Sequence, residues 1–354
     1  MASLFAHAAR RASLRHIRRL AAIRPGDASR QVAAIYDQVE AEFGMLAPPV
    51  ALHAPAPEVL EAVWLILRET LLAGDPADRA EKEVVAAAVS AANSCPYCVQ
   101  VHGAALRGVR AGDDSALVAA GRAGDVRDLR LRSLALWVQG VGAAPAWLTP
   151  QRAASFVGVA VTFHYLNRMV NLFLEESPLF GMPAPGRALG LRAAPRIFGR
   201  LAKVAVSPGI PASDWAQGNT PGDLAWAVPL PPVADAMSRG CARIETAGVE
   251  ALPPRVRALV CERLDDPAEA GPGLALRPWL DAVLGGLPGG ERHVARLALL
   301  TAYASQRVTD ADIADFRAAG GLDDALVRLT AWASMAAARR AGRMLGSSLE
   351  GFAG

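Results

Sequence analysis

A chain of 354 residues, 52% apolar and 20% charged, has material for a large hydrophobic core and reads as soluble and globular. Its formal net charge of +3 is too small to argue for nucleic acid or a polyanionic substrate. Four cysteines in a chain this long do not build a disulfide scaffold, so a reducing, cytoplasmic compartment is expected.

The first 26 residues carry six arginines and no acid. They lack the continuous apolar run of a secretory signal, and a basic surface helix or frayed terminus is expected in preference to a transit peptide. Beyond them apolar residues recur at three- and four-residue spacing, with no sustained β-branched alternation, which predicts an all-α fold. Helices are predicted at 30–44, 57–73, 78–92, 95–110, 126–141, 149–175, 188–204, 231–247, 254–264, 276–285, 291–305, 309–319 and 322–346. Pro96 suits a first helical position behind an N-cap at Cys95; Thr149-Pro150 and Thr309-Asp310 read as further starts, and Gly108 and Gly320-Gly321 as stops. The longest apolar stretch, Ala153 to Leu174, contains His164, Asn167, Arg168 and Asn171, so a buried helix is expected there and no membrane span.

Three parts are expected: an N-terminal helical repeat (1–182), a Pro/Gly-rich connection (183–232) and a C-terminal, degenerate repeat (233–354). Both halves show an apolar helix, a short helix and a long helix bearing an arginine, Arg168 or Arg340. Ser305, Gln306 and Arg307 stand in the second half where the first has its cysteines. The two arginines are expected to pair with carboxylates between helices.

Chemistry concentrates in Cys95-Pro96-Tyr97-Cys98, followed by His102. Thiols at i and i+3 can close a disulfide or share a metal, and a histidine four residues on lies one turn further along the same face. A redox centre is the reading the spacing supports best: a thiol near the helix start gains from the dipole, which lowers its pKa, and His102 can take its proton. If the break at Asn93-Ser94 folds the two helices antiparallel, Glu83 lies about 16 Å from the turn, His102 about 12 Å and Cys98 about 6 Å. Glu83 therefore matches His102 in depth, which gives a relay from Glu83 through His102 to Cys98. Zinc is a second reading but has only three of four ligands. A thioredoxin-type domain lacks its βαβ context, and buried inert cysteines are the fourth reading, preferred for Cys241 and Cys261.

The stretch EKEVVAAAVSAANSCPYCVQVHGAALRG resembles the core motif of the alkylhydroperoxidase D (AhpD)/carboxymuconolactone decarboxylase-like family: Glu, eleven mostly apolar residues, then Cys-x-x-Cys-x-x-x-His. Glu83, Cys95, Cys98 and His102 fall on it. The resemblance implies an AhpD-like helical bundle, homo-oligomeric assembly and peroxide reduction without cofactor or metal. It implies that Cys98 attacks the hydroperoxide, Cys95 resolves it, and an external dithiol, in some relatives a lipoyl-bearing protein, resets the pair. Tyr97 stands where some peroxidases of the family carry a histidine. Two alternatives are a thiol-disulfide sensor or binding protein, and a decarboxylase-like lyase with incidental cysteines. Tyr97 and His164 are candidate pocket residues, although a hydrogen-bonded core place is the leading expectation for His164. His53 sits in a Pro-rich loop with no local sign of a role.

Overall fold

The structure is a computed structural model that describes residues 13–110, 112–209, 220–266, 273 and 275–349. The described residues form helices and no sheet; the bridges Ile17–Leu174 and Ala73–Val206 are isolated. The first half holds α1 (Arg30–Phe43), α2 (Pro48–Ala51), α3 (Pro57–Leu67), α4 (Arg79–Ala92), α5 (Pro96–Val109), α6 (Asp113–Ala119), α7 (Leu129–Val138) and α8 (Pro150–Phe173). After α9 (Ala184–Leu201) come α10 (Pro231–Ala251), α11 (Pro254–Asp265), α12 (Leu276–Leu284), α13 (Gly289–Ala304), α14 (Asp310–Ala318) and α15 (Asp323–Ser347). One continuous apolar core runs through both halves, with α8 packed on α15 and α3 on α10.

Local chemistry sets most of the boundaries. Thr149 caps α8 by accepting the Arg152 N–H, and Thr309 and Asp312 form a reciprocal capping box on α14. The junction of α4 and α5 is a Schellman turn: Ser94 N–H bonds Ala91 O at 3.1 Å and Cys95 N–H bonds Ser90 O at 3.0 Å. Ser94 takes the left-handed conformation this turn requires, φ 51°, where glycine is the usual occupant. Cys95 then N-caps α5 with Pro96 at its first position, so the closing turn of one helix places the first thiol at the start of the next.

Several boundaries differ from expectation. The helix at 57–73 turns π-helical over Arg68–Leu72, and α6 forms within an expected loop. The helix expected at 188–204 within the Pro/Gly-rich connection is α9; it starts earlier, at Ala184, and lies against α5. Gly108 does not stop α5, which continues to Val109. Its role is contact: a Cβ there would sit 2.0 Å from Pro195 O and 2.5 Å from Gly199 Cα of α9. Arg168 bonds the carbonyls of Ala302 (3.0 Å), near the end of α13, and His164 (2.6 Å), where a carboxylate partner was expected. Arg340 reaches Asp266 O at 3.3 Å.

Residues 1–12 of the basic terminus lie outside the described residues. From Ser13 onward the chain is neither frayed nor a surface helix: Leu14 is buried, and Arg18 N–H bonds Phe173 O at 2.8 Å at the end of α8.

Gly108→Ala should destabilise the protein by about 1–3 kcal/mol, since overpacking must push α9 off α5. Gly124, with nothing within 4 Å of an added Cβ, gives the control. Thermal denaturation of Gly108→Ala and Gly124→Ala should show a lowered midpoint for the first alone.

Candidate active site

Glu83 projects from the first half of α4, is fully buried and is held on both oxygens. Arg79, one turn earlier, donates Nε–H to Oε1 at 2.8 Å, and His102 of α5 approaches Oε2 with Nδ1 at 2.8 Å. A carboxylate can only accept, so Nδ1 carries the proton and Nε2 keeps its lone pair, the tautomer of a base. Burial works against the Glu83 charge, but Arg79 and His102 more than offset it and hold its carboxyl below the usual range. The Phe163 ring meets the imidazole edge-on, centroids 4.4 Å apart, which limits its tilt.

Cys95 and Cys98 are free, buried thiols with Sγ atoms 2.6 Å apart. Bond formation needs only a small further approach, to about 2.05 Å. The helix start does not lower the Cys98 pKa as expected. Burial pushes the thiol well up and the Cys95 sulfur adds to this; Asn167 and a backbone amide act the other way but do not win. Desolvation of a thiolate outweighs the partial charge of one helix end. The relay is thus joined at its first link only: Glu83 binds His102, whereas the Cys98 partners are Cys95 and Asn167.

Cys98 and His102 share the wall of a cavity of about 300 Å³. Its surface is mostly apolar, with Phe43, Leu67, Leu71, Phe163 and Phe198 contributed by five elements, the π-helical turn and α9 among them. Tyr97 lines it too, and burial raises its phenol pKa far above the ordinary value. His164 does not line it. Its Nδ1 lies 3.1 Å from Asn93 Nδ2, and burial, aided by Arg168, lowers its pKa to about 3. His53 is a core residue, fully buried, accepting the Tyr165 hydroxyl at Nε2 (2.9 Å) with Nδ1 on Val50 O (3.2 Å).

Three polar residues of this region escaped the sequence reading. Arg79 was visible as an i,i+4 partner of Glu83. Asn167, which bonds Asn93 and Ser90 at 3.0 Å, was visible as an amide in an apolar helix. His16 lines the cavity from the N-terminal segment and carried no local signal. Cys241 and Cys261 line a different cavity, and no three His, Cys, Asp or Glu side chains among the described residues are grouped to hold a metal ion.

The family model for the carboxymuconolactone decarboxylase family matches residues 57–139, the segment that carries Glu83, Cys95, Cys98 and His102. A Mycobacterium tuberculosis protein named alkyl hydroperoxide reductase is 37% identical over 339 residues, covering 95% of this chain and 96% of its own length. The chain belongs to this family. No solved structure matches it. The family match ends at residue 139, yet the likeness to the mycobacterial relative spans the second half as well, so α10–α15 are part of what the two proteins share.

Cys98 should ionise later than a free thiol. The pH profile of its alkylation by iodoacetamide, read by mass spectrometry, should have its midpoint above the free-cysteine value of about 8.5. A midpoint at or below that value would show that the helix start wins over burial.

Proposed function

We propose that this chain reduces hydroperoxides through a dithiol–disulfide cycle of Cys98 and Cys95. The single observation that carries the reading is the pair of sulfurs 2.6 Å apart at the wall of an apolar cavity, beside a histidine whose Nδ1 is bonded to a buried carboxylate. The name of the mycobacterial relative points to the same activity.

In the proposed cycle His102 Nε2 takes the Cys98 proton within the cavity, and Glu83 stabilises the imidazolium. The thiolate attacks the terminal peroxide oxygen. The S–O bond forms, the O–O bond breaks, and the departing alkoxide takes the proton back from His102 to leave as the alcohol. The Cys95 sulfur then displaces hydroxide from the Cys98 sulfenic acid, and water leaves as the disulfide closes. An external dithiol returns two electrons and two protons to restore the thiols. With so little polar wall, the cavity favours an organic hydroperoxide over hydrogen peroxide, since apolar surface is buried only with the former.

The raised Cys98 pKa fits a thiolate made on demand. Little stands ready at neutral pH, so the oxidation rate should climb with pH until the Cys98 thiol ionises.

Mass-spectrometric thiol counting before and after one equivalent of cumene hydroperoxide should show loss of two thiols, mapped to a Cys95–Cys98 disulfide. Cys98→Ser should reduce turnover to background. Cys95→Ser should consume one equivalent and stop at the sulfenic acid. Turnover that survives Cys98→Ser sinks the assignment. Glu83→Gln should keep both thiols but slow oxidation about 10–100-fold, the usual effect of losing the group that orients an active-site histidine.

A further inference from the structure

The cycle above leaves polar side chains of the cavity wall unused, Ser13, Tyr97 and His16 among them. His16 comes from the segment that follows the undescribed terminus, and its ring lies edge-on to Tyr97, centroids 6.1 Å apart, in the wall that also contains Cys98 and His102. It is far from the Cys-x-x-Cys helix in sequence and reaches it only through the fold.

The segment is pinned on both sides of this histidine. Glu175 N–H bonds His16 O at 3.0 Å and Arg18 N–H bonds Phe173 O at 2.8 Å. Arg18 and Arg19 cap the end of α8 through the carbonyls of Asn171 (2.9 Å) and Leu172 (3.1 Å). Further on, Arg19 Nε holds Asp310 at 2.7 Å and Ala21 N–H holds Asp323 at 2.7 Å, which ties the strap to α14 and α15. Side chains placed by such a frame are preorganised; they do not pay to be ordered when a ligand arrives.

The ring itself is unfinished. Its Nδ1 is buried and has no hydrogen-bond partner. Burial lowers its pKa, with Glu175 acting weakly the other way, so the ring is neutral and carries one proton. A proton on Nδ1 would be a buried donor without an acceptor, which costs more than a bare lone pair, so the proton belongs on Nε2.

We propose that His16 is the second imidazole of the site, donating its Nε2–H to the carbon-bound oxygen of the hydroperoxide. Two consequences follow. The hydroperoxide is oriented with its terminal oxygen toward Cys98. As the O–O bond breaks, the charge that develops on the carbon-bound oxygen meets a fixed donor in a cavity of low polarity, where such a bond is strongest. His16 does not exchange a proton with the thiol: His102 takes the Cys98 proton and returns it to the alkoxide, so the atoms balance as written above. This inference rests on the hydroperoxide reading.

The test is rapid-quench oxidation of the reduced chain by cumene hydroperoxide, in wild type, His16→Ala and His16→Gln. The second-order oxidation rate should fall about 10–100-fold in His16→Ala, the usual range for one donor to a developing oxyanion or somewhat below it. His16→Gln keeps an N–H donor and should recover part of the loss; it also serves if His16→Ala does not fold. Two controls should stay at the wild-type value: the pH profile of Cys98 alkylation, and reduction of the disulfide by dithiothreitol. Oxidation at the wild-type rate in both variants overturns the proposal. A matching shift in the alkylation profile also overturns it, because His16 would then act on the thiol. If wild-type protein is not oxidised by cumene hydroperoxide while its thiols alkylate normally, the peroxidase reading fails, and this inference with it.

Discussion

The buried Glu83 carboxylate is the constraint around which the site is arranged. A charge with no solvent exposure is tolerated only when paired and hydrogen-bonded, and here both oxygens are taken, one by a guanidinium of the same helix and one by an imidazole of the next. Removing one member of such a group typically costs about 3–5 kcal/mol because the other is left buried and unpaired. The bond to His102 therefore does two things. It fixes the depth at which α4 and α5 meet, and it fixes which imidazole nitrogen faces the cavity. Arg79 shares the carboxylate with His102, so its charge is balanced from two helices.

The same dryness that makes this pairing necessary also sets the reactivity of the thiols. A cysteine at a helix start is commonly read as acidic, but that argument assumes that water or a cation completes the solvation of the sulfur. At Cys98 the nearest groups are another sulfur, the Asn167 amide and apolar walls. The Asn167 amide is itself held, by Asn93 and Ser90, and cannot turn to supply more. The site thus gives up standing thiolate in exchange for close thiols and an apolar cavity. A buried thiol high in pKa has little thiolate and is protected from unselective oxidation.

Much of this was legible in the sequence, and part of the remainder was not, for a common reason. The depth estimate that matched Glu83 to His102 used only the helical rise and one turn, and the two side chains meet. The Cys95 N-cap, the Thr149 and Thr309 caps and the buried α8 follow from neighbours within four residues, which the sequence displays directly. Several of the misreadings involve distant chain. Gly108 resembles a helix stop until α9 is seen lying on it. Arg168 resembles one half of an ion pair until α13 presents a carbonyl. The Cys98 pKa depends on what covers the helix, and His16 has meaning only where the strap crosses the cavity.

The second half of the chain, although without cysteines at its own turn, bears on the chemistry through α8. That helix carries Phe163 against His102 and Asn167 against Cys98, and it packs along α15 on its other side. Asn171, one turn beyond Asn167, donates to Asn93 O at the α4–α5 junction (3.2 Å) and to Ser305 Oγ after α13 (3.1 Å). One amide thus braces the turn that holds the thiols against the turn where the second half has serine. The N-terminal strap closes the same frame from outside, joining the end of α8 to Asp310 and Asp323. The proposed cycle depends on sulfurs 2.6 Å apart and an imidazole held on one face, and so on walls that hold their places. The C-terminal helices pack on α8, and α8 reaches the thiols through Asn167.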